Sequence, residues 1–298
     1  MNHRLQSLIV AAITVASLTP RVASALVVTT CGTTCSTNCE LGNNLNCSSG
    51  QNGVTIAAGV QLDLKGHYIS CTAGAGDSCN DGVVMTGPGA TVLTSVAPTF
   101  GSASVGILGN WVHGVNCAGK PNSHVTGITI RGFFGTSAVT APIYQCQTVD
   151  NNTISGLPDP SSIGWDGTAG VFVTWSRVCI RHTSISSVDL ISDNHIDGCE
   201  SAVLSTGSLA VTIDSNNVNC RDHTAPATGG GNCIDLGTTV RGTTTSNNVI
   251  EGDSRFSVIQ APSSGGFFQN NVCKLGLFGC STCVSLGRCV ANGTTTSP

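Results

Sequence analysis

Three aspartates, Asp197, Asp222 and Asp235, with His223 beside the second, are the residues whose types best suit acid-base catalysis. Two carboxyl groups about 5 Å apart can serve as nucleophile and acid at an acetal carbon. At roughly 6.5 to 9.5 Å they can serve as base and acid with a water between them. His223 is placed to assist either arrangement. Trp165 offers an aromatic face on which a pyranose ring can stack, and Asp166, Arg221 and Arg255 supply polar contacts nearby. A second set, Arg177, Arg181, Arg221 and His182, suits elimination beside a carboxylate, where a base takes a proton and a cation stabilises the resulting anion. Asp193, His195 and Asp197 alternate, which on a strand predicts one outward row.

These residues are far apart in sequence, so only a repetitive fold can gather them. The pattern that supplies one is a recurrent Asn, any residue, then Ile or Val, beginning at Asn152, Asn194, Asn216, Asn247 and Asn270. The spacings are 42, 22, 31 and 23 residues. One coil of a parallel β-helix takes roughly 20 to 25 residues, so these read as single coils, one coil with an insertion, and a double step. Asn at one place per coil can stack as a ladder of side-chain amides. A second strand type starts with a small or apolar residue: Gly82-Val83-Val84-Met85, Gly106-Ile107-Leu108, Gly170-Val171-Phe172-Val173, Ala202-Val203-Leu204, Cys233-Ile234-Asp235-Leu236 and Val258-Ile259-Gln260. The two types alternate from Asn194 to Val258, and no long stretch shows helical spacing. Coils stacked at about 4.8 Å turn the connections between the two types into one polar edge. Those connections carry Asp159, Trp165 and Asp166, then Asp197 and Glu200, then Arg221, Asp222 and His223, then Glu251, Asp253 and Arg255.

Residues 53 to 69, Gly-Val-Thr-Ile-Ala-Ala-Gly-Val-Gln-Leu-Asp-Leu-Lys-Gly-His-Tyr-Ile, resemble the opening coil of pectin-lyase-like right-handed β-helix proteins. The later stretches Ile191 to Ile196 and Ile213 to Val218 are similar to the β-helix repeats of the same superfamily. The resemblance spans about residues 53 to 273 and implies an all-β, right-handed parallel β-helix. It implies no one activity, because the superfamily includes polysaccharide lyases, glycoside hydrolases, epimerases, adhesins and binding proteins. The polygalacturonase set of Asn-Thr-Asp, Asp-Asp, Gly-His-Gly and Arg-x-Lys is absent, the nearest match being Gly66-His67-Tyr68.

Composition bounds the rest. Arg4, an apolar run from Leu8 to Leu18, and Ala23 and Ala25 read as a secretory signal over residues 1–25. All 16 cysteines follow it, which points to an oxidising compartment and up to eight disulfides. Cys280 and Cys283 form one C-x-x-C, for which a disulfide is again the reading outside the cytosol. Charged residues are 9% of the chain, and loss of Arg4 and Arg21 takes the formal charge from −4 to −6, which excludes nucleic acid as a partner. At 40% hydrophobic residues the chain can build a core. The expected organisation is a cysteine-rich N-terminal cap over 26–52, the β-helix over 53–273, and a cysteine-rich C-terminal cap with a flexible tail over 274–298.

The expected protein is therefore secreted, extracellular or periplasmic in a diderm bacterium, monomeric and without a membrane span. It acts on or binds a polysaccharide or surface glycan, with hydrolysis ranked ahead of elimination. The alternative is a non-catalytic surface or matrix protein with a structural or adhesive role. No cofactor motif is present, and a divalent metal such as calcium stays open.

Overall fold

The computed structural model describes residues 24–73, 77–96, 105–132, 141–156, 178–183, 188–199, 201–206, 210–220, 232–236, 243–252, 257–260, 266–269, 271–275, 287–291 and 294–296. Every element among them is a strand, and none is a helix. The strands form three sheets of 10, 9 and 11 strands, called here A, B and C. The chain visits them in the fixed order B, A, C, so Cys79–Met85 of sheet B leads to Thr91–Leu93 of A and Gly106–Gly109 of C. It then returns to sheet B at Trp111–Asn116, beside the strand it left. Up to Gly287–Ala291 the strands thus pair in parallel with their counterparts one coil away, and the fold is a parallel β-helix.

Three columns of aliphatic side chains give this winding its stability. Sheet C stacks Leu45, Ile69, Ile107, Ile130, Ile154, Ile196, Val218 and Ile250 in direct register. Sheet B stacks Val54, Val83, Val115, Ile143, Ile180, Val203 and Ile234. Sheet A stacks Leu62, Val92, Val125, Val149, Ile191 and Ile213. All are buried, so the core is the solenoid's axis. Burial of each such side chain contributes roughly 1.5–3 kcal/mol, and a period of one coil places every one over its equivalent.

The turn from sheet A to sheet C carries the asparagine ladder. The Nδ2 of Asn152 donates to Oδ1 of Asn194 (3.1 Å), Asn194 to Asn216 (2.9 Å), Asn216 to Asn248 (2.9 Å) and Asn248 to Asn271 (2.9 Å). Each side chain also donates to a carbonyl of the coil before, such as Asn194 to Val149 O. The register differs from the sequence reading at two coils: the ladder uses Asn248 and Asn271, the second member of each Asn-Asn pair. The residue just before the ladder position has a left-handed backbone, with φ of 53° at Asn151, 56° at Asp193, 56° at Ser215 and 54° at Asn247. Asn247 serves that bend, because asparagine tolerates positive φ at modest cost.

Three further differences share one cause, the brevity of the strands. Sheet A is a third strand type unrecognised in the sequence, where most of its early members are three residues with one buried apolar position. Gly106-Ile107-Leu108 belongs to sheet C, not with the sheet B strands. Gly170 to Val173 lie outside the described residues, and the sheet B strand between Ala141–Tyr144 and Ser201–Thr206 is Val178–Thr183. At the N-terminus the cysteine-rich segment itself winds: Thr33–Cys35 pairs with Val54–Ile56 and Leu45–Cys47 with Tyr68–Cys71. Disulfides Cys31–Cys47 and Cys35–Cys39 close this first coil, and Cys71–Cys79, Cys117–Cys146 and Cys179–Cys199 tie later corners. At the other end Thr294–Thr296 turns back antiparallel on Gly287–Ala291.

Candidate functional site

The outer face of sheet B gathers Asp81, His113, Asn116, Tyr144 and Arg181 from four consecutive coils. The positioning begins with glycine. A Cβ on Gly82 would lie 2.6 Å from Gly114 O and 2.6 Å from the core methyl of Ile107, so position 82 faces the interior against a neighbouring backbone. Asp81 and His113 precede Gly82 and Gly114 in paired coils and are thereby set on the outer side, opposite each other in register.

His113 Nδ1 lies 2.7 Å from Asp81 Oδ1, which accepts the ring N–H. The other carboxylate oxygen accepts from Asn116 Nδ2 at 2.9 Å. Asn116 is itself oriented, since its Oδ1 accepts from the Ala118 amide at 2.9 Å. With side-chain exposures of 10% and 15%, His113 and Asp81 are screened from bulk water, which strengthens their hydrogen bond. The His113 ring stacks on Tyr144 with centroids 4.4 Å apart. The Tyr144 hydroxyl accepts from Gln145 Nε2 at 3.1 Å, and the same amide reaches Thr183 O and Oγ1, each at 2.8 Å. Arg181 is the register partner of Tyr144 in the next coil. Its Nε is buried and has no hydrogen-bond partner among the described residues. The disulfide Cys117–Cys146 binds the ends of the two strands that carry His113 and Tyr144.

This arrangement can hold an imidazole in one tautomer through its carboxylate, present a phenol beside it, and offer a guanidinium to an anion one coil away. The signal for it in the sequence is Asp81-Gly82-Val83 and His113-Gly114-Val115, two chemistry-bearing residues before the same Gly-Val a coil apart. The sheet B motif starting at Gly82 stops one residue short of it.

The residues singled out from sequence are placed differently. Asp197 lies on His195–Cys199 in sheet C, between Ser155 and Asn219 in register. Asp235 lies in sheet B, between Leu204 and Gln260, so the preceding coils present Leu204 and Arg181 at that register, where the sequence suggested Phe172. Asp197 and Asp235 are therefore on different sheets. Trp165, Asp166, Arg221, Asp222, His223 and Arg255 lie outside the described residues. In the row of Asp193, His195 and Asp197, only the last two are on the strand, because Asp193 takes the left-handed bend before Asn194. Arg181 and His182 separate by alternation: Arg181 joins the outer cluster, whereas His182 is fully buried with its Nδ1 3.2 Å from the equally buried Asp189 Oδ2.

Sheet A carries a contrasting polar face. His124 Nε2 meets Asp150 Oδ2 at 3.0 Å across adjacent coils. The Asp63 carboxyl titrates below its ordinary value: burial, the largest influence, works to raise it. Hydrogen bonds from the Ser95 hydroxyl and amide and the Lys65 amide, with the Lys65 charge, more than offset that effect. Asp214 is also lowered, chiefly by the Ser246 hydroxyl against a smaller opposing effect of burial, with help from Asn247 and Ser215. Among the described residues no three of His, Cys, Asp and Glu converge as metal ligands. None of their elements is a helix long and apolar enough to cross a membrane.

No family model matches the chain, and no curated protein or solved structure shows significant similarity to it.

Proposed function

We propose that this is an exported β-helix protein of the pectin-lyase-like kind that engages an acidic polysaccharide along the outer face of sheet B. The observation that carries the reading is Arg181, a guanidinium with a buried, unpartnered Nε beside the Asp81–His113–Tyr144 group. Burial of an unpaired donor costs roughly 1–3 kcal/mol, so its persistence favours an external acceptor, and a planar carboxylate matches guanidinium geometry. Coils at about 4.8 Å provide a surface along which several sugar units can lie. Five disulfides within the described residues agree with an oxidising, extracellular setting.

Within this reading elimination suits the described groups better than hydrolysis. Their one carboxylate, Asp81, is already engaged by His113 and Asn116, whereas glycoside hydrolysis uses two. His113 or Tyr144 would take the proton beside a uronate carboxylate, and Arg181 would hold the anion that forms. Hydrolysis would instead draw on Asp197, Asp222 and Asp235 with His223, with Trp165 as the stacking platform and Asp166, Arg221 and Arg255 as contacts.

A panel of acidic and neutral polysaccharides, read by unsaturated-uronate absorbance and reducing-sugar release, tests this. Turnover of an acidic polymer that falls at least tenfold in Arg181→Ala is the expected result. Equal behaviour of wild type and Arg181→Ala on every polymer would overturn it. The second reading, a non-catalytic surface or matrix protein, is favoured by sheet A, where Asp63 and Asp214 are hydrogen-bonded by their own neighbours. It predicts retention on glycan or wall material without turnover.

A further inference from the structure

Three Asn-x-Ser/Thr sequences occur in the chain, at Asn46-Cys47-Ser48, Asn151-Asn152-Thr153 and Asn292-Gly293-Thr294. The asparagine of such a triplet can accept an oligosaccharide when it reaches solvent in an exported protein. The structure separates the first two, and the third asparagine lies outside the described residues. Asn46 is exposed, but its Oδ1 accepts from the Ser70 hydroxyl at 2.7 Å, and the middle residue of its triplet is held in the Cys31–Cys47 disulfide.

Asn151 is different in each respect. It stands at the tip of the bend from sheet A to sheet C with φ of 53° and is exposed, as is Thr153 two residues on. Its side-chain amide makes no hydrogen bond among the described residues. The equivalent asparagine two coils on from Asp193 shows that this is not forced by the bend, since Asn247 Nδ2 donates to Asp214 Oδ1 at 2.9 Å. The bend position in the coil before Asn151 is Gly127, where even an added Cβ would stay 4.0 Å from the Asn151 amide nitrogen, leaving room on that side. The structural work at this bend falls to the next residue, Asn152, whose amide enters the ladder. Position 151 can therefore carry a large substituent without disturbing the coil.

We propose that Asn151 is an acceptor for an N-linked glycan, donated from a lipid-pyrophosphate-linked oligosaccharide during export. The Nδ2–C1 bond forms as the C1–oxygen bond to the pyrophosphate breaks. The carrier leaves with the bonding pair, and one Nδ2 proton passes to a base of the transferase. With sheets visited in the order B, A, C, the corner between A and C is the one opposite sheet B. A glycan there shields the bends while the Asp81–His113–Arg181 face stays open.

The test is secretion of the full chain from a eukaryotic host, with intact mass before and after amidase release in ¹⁸O water. A glycan on Asn151 is expected, leaving labelled aspartate at position 151, kept in Thr153→Ser and Asn46→Gln and lost in Asn151→Gly and Thr153→Ala. Glycine suits the positive φ, as Gly127 does in the preceding coil, so Asn151→Gly retains the bend. If Asn151→Gly is not secreted, Thr153→Ala decides. Secreted protein with position 151 unlabelled, or glycan mass unchanged in Thr153→Ala, would overturn the proposal.

Discussion

The outer faces of sheets A and B rest on the same kind of interior, a column of Val, Ile and Leu one coil apart, yet they leave different polar groups open. On sheet A, Asp214 accepts from Ser246, Asn247 and Ser215, and Asp63 accepts from Ser95 and Lys65. These groups complete one another. On sheet B the hydrogen bonds run from Asn116 through Asp81 to His113 and by ring stacking to Tyr144, whose register partner in the next coil is an arginine with no Nε acceptor among the described residues. A polar face on a solenoid is therefore no sign of a site by itself. What distinguishes sheet B is that the group left unsatisfied is a cationic donor, whose free-energy cost an anionic ligand can relieve, whereas the open atom on sheet A, Asp150 Oδ1, is an acceptor beside His124.

The largest expected effect separates two histidines that both pair with aspartate. Loss of an acid-base group costs typically 10²- to 10⁴-fold in rate. His113→Ala should lower turnover of an acidic polymer by that order, whereas His124→Ala on sheet A should leave it within about twofold. Equal losses would erase the contrast between the faces. Next in size is the Cys117–Cys146 bridge, which closes a loop of sequence separation 29. Replacing both cysteines by serine should lower unfolding stability by about 3–4 kcal/mol in denaturant titration, and reduce turnover as the strands bearing His113 and Tyr144 lose their shared anchor. A fully stable variant would show that the sheet B face needs no such tie.

The smallest effect sharpens the account of sheet A. Asp214 has a folded pKa below its unfolded one, so its contribution is fully present above the unfolded value, near 4, and is lost as pH falls through the folded value. Asp214→Asn should lower stability near neutrality by well under 1 kcal/mol, because the group is largely solvated, and the two proteins should converge as pH falls through that acid window. A difference that persists undiminished below the folded value would contradict the assignment.

Much of this was legible in the chain. Ile154, Ile196 and Val218, each two residues after an asparagine, announce one buried strand per coil, because a repeated apolar residue beside a repeated amide has few other packings. The doublet at Asn247 and Asn248 was not decidable in the same way. Both satisfy the pattern, since Val249 and Ile250 each follow two residues after one of them, and only the ladder with Asn216 and Asn271 selects Asn248. Sheet A escaped notice because three residues around Val92, Val125 or Val149 carry too little periodicity to mark a strand.

The site divides along the same line. Residue types alone determined that a β-strand solenoid stiffened by cysteines would form, for hydrophobic period and amide repeat are local properties that survive in one dimension. Which carboxylate meets which histidine was decided only by coil length. The 32 residues from Asp81 to His113 make one turn, so register brings them to 2.7 Å, while Asp197 and Asp235, 38 apart, end on different sheets. Lateral neighbours in a solenoid depend on the length of every intervening loop, and that sum is settled only when the coils close on one another.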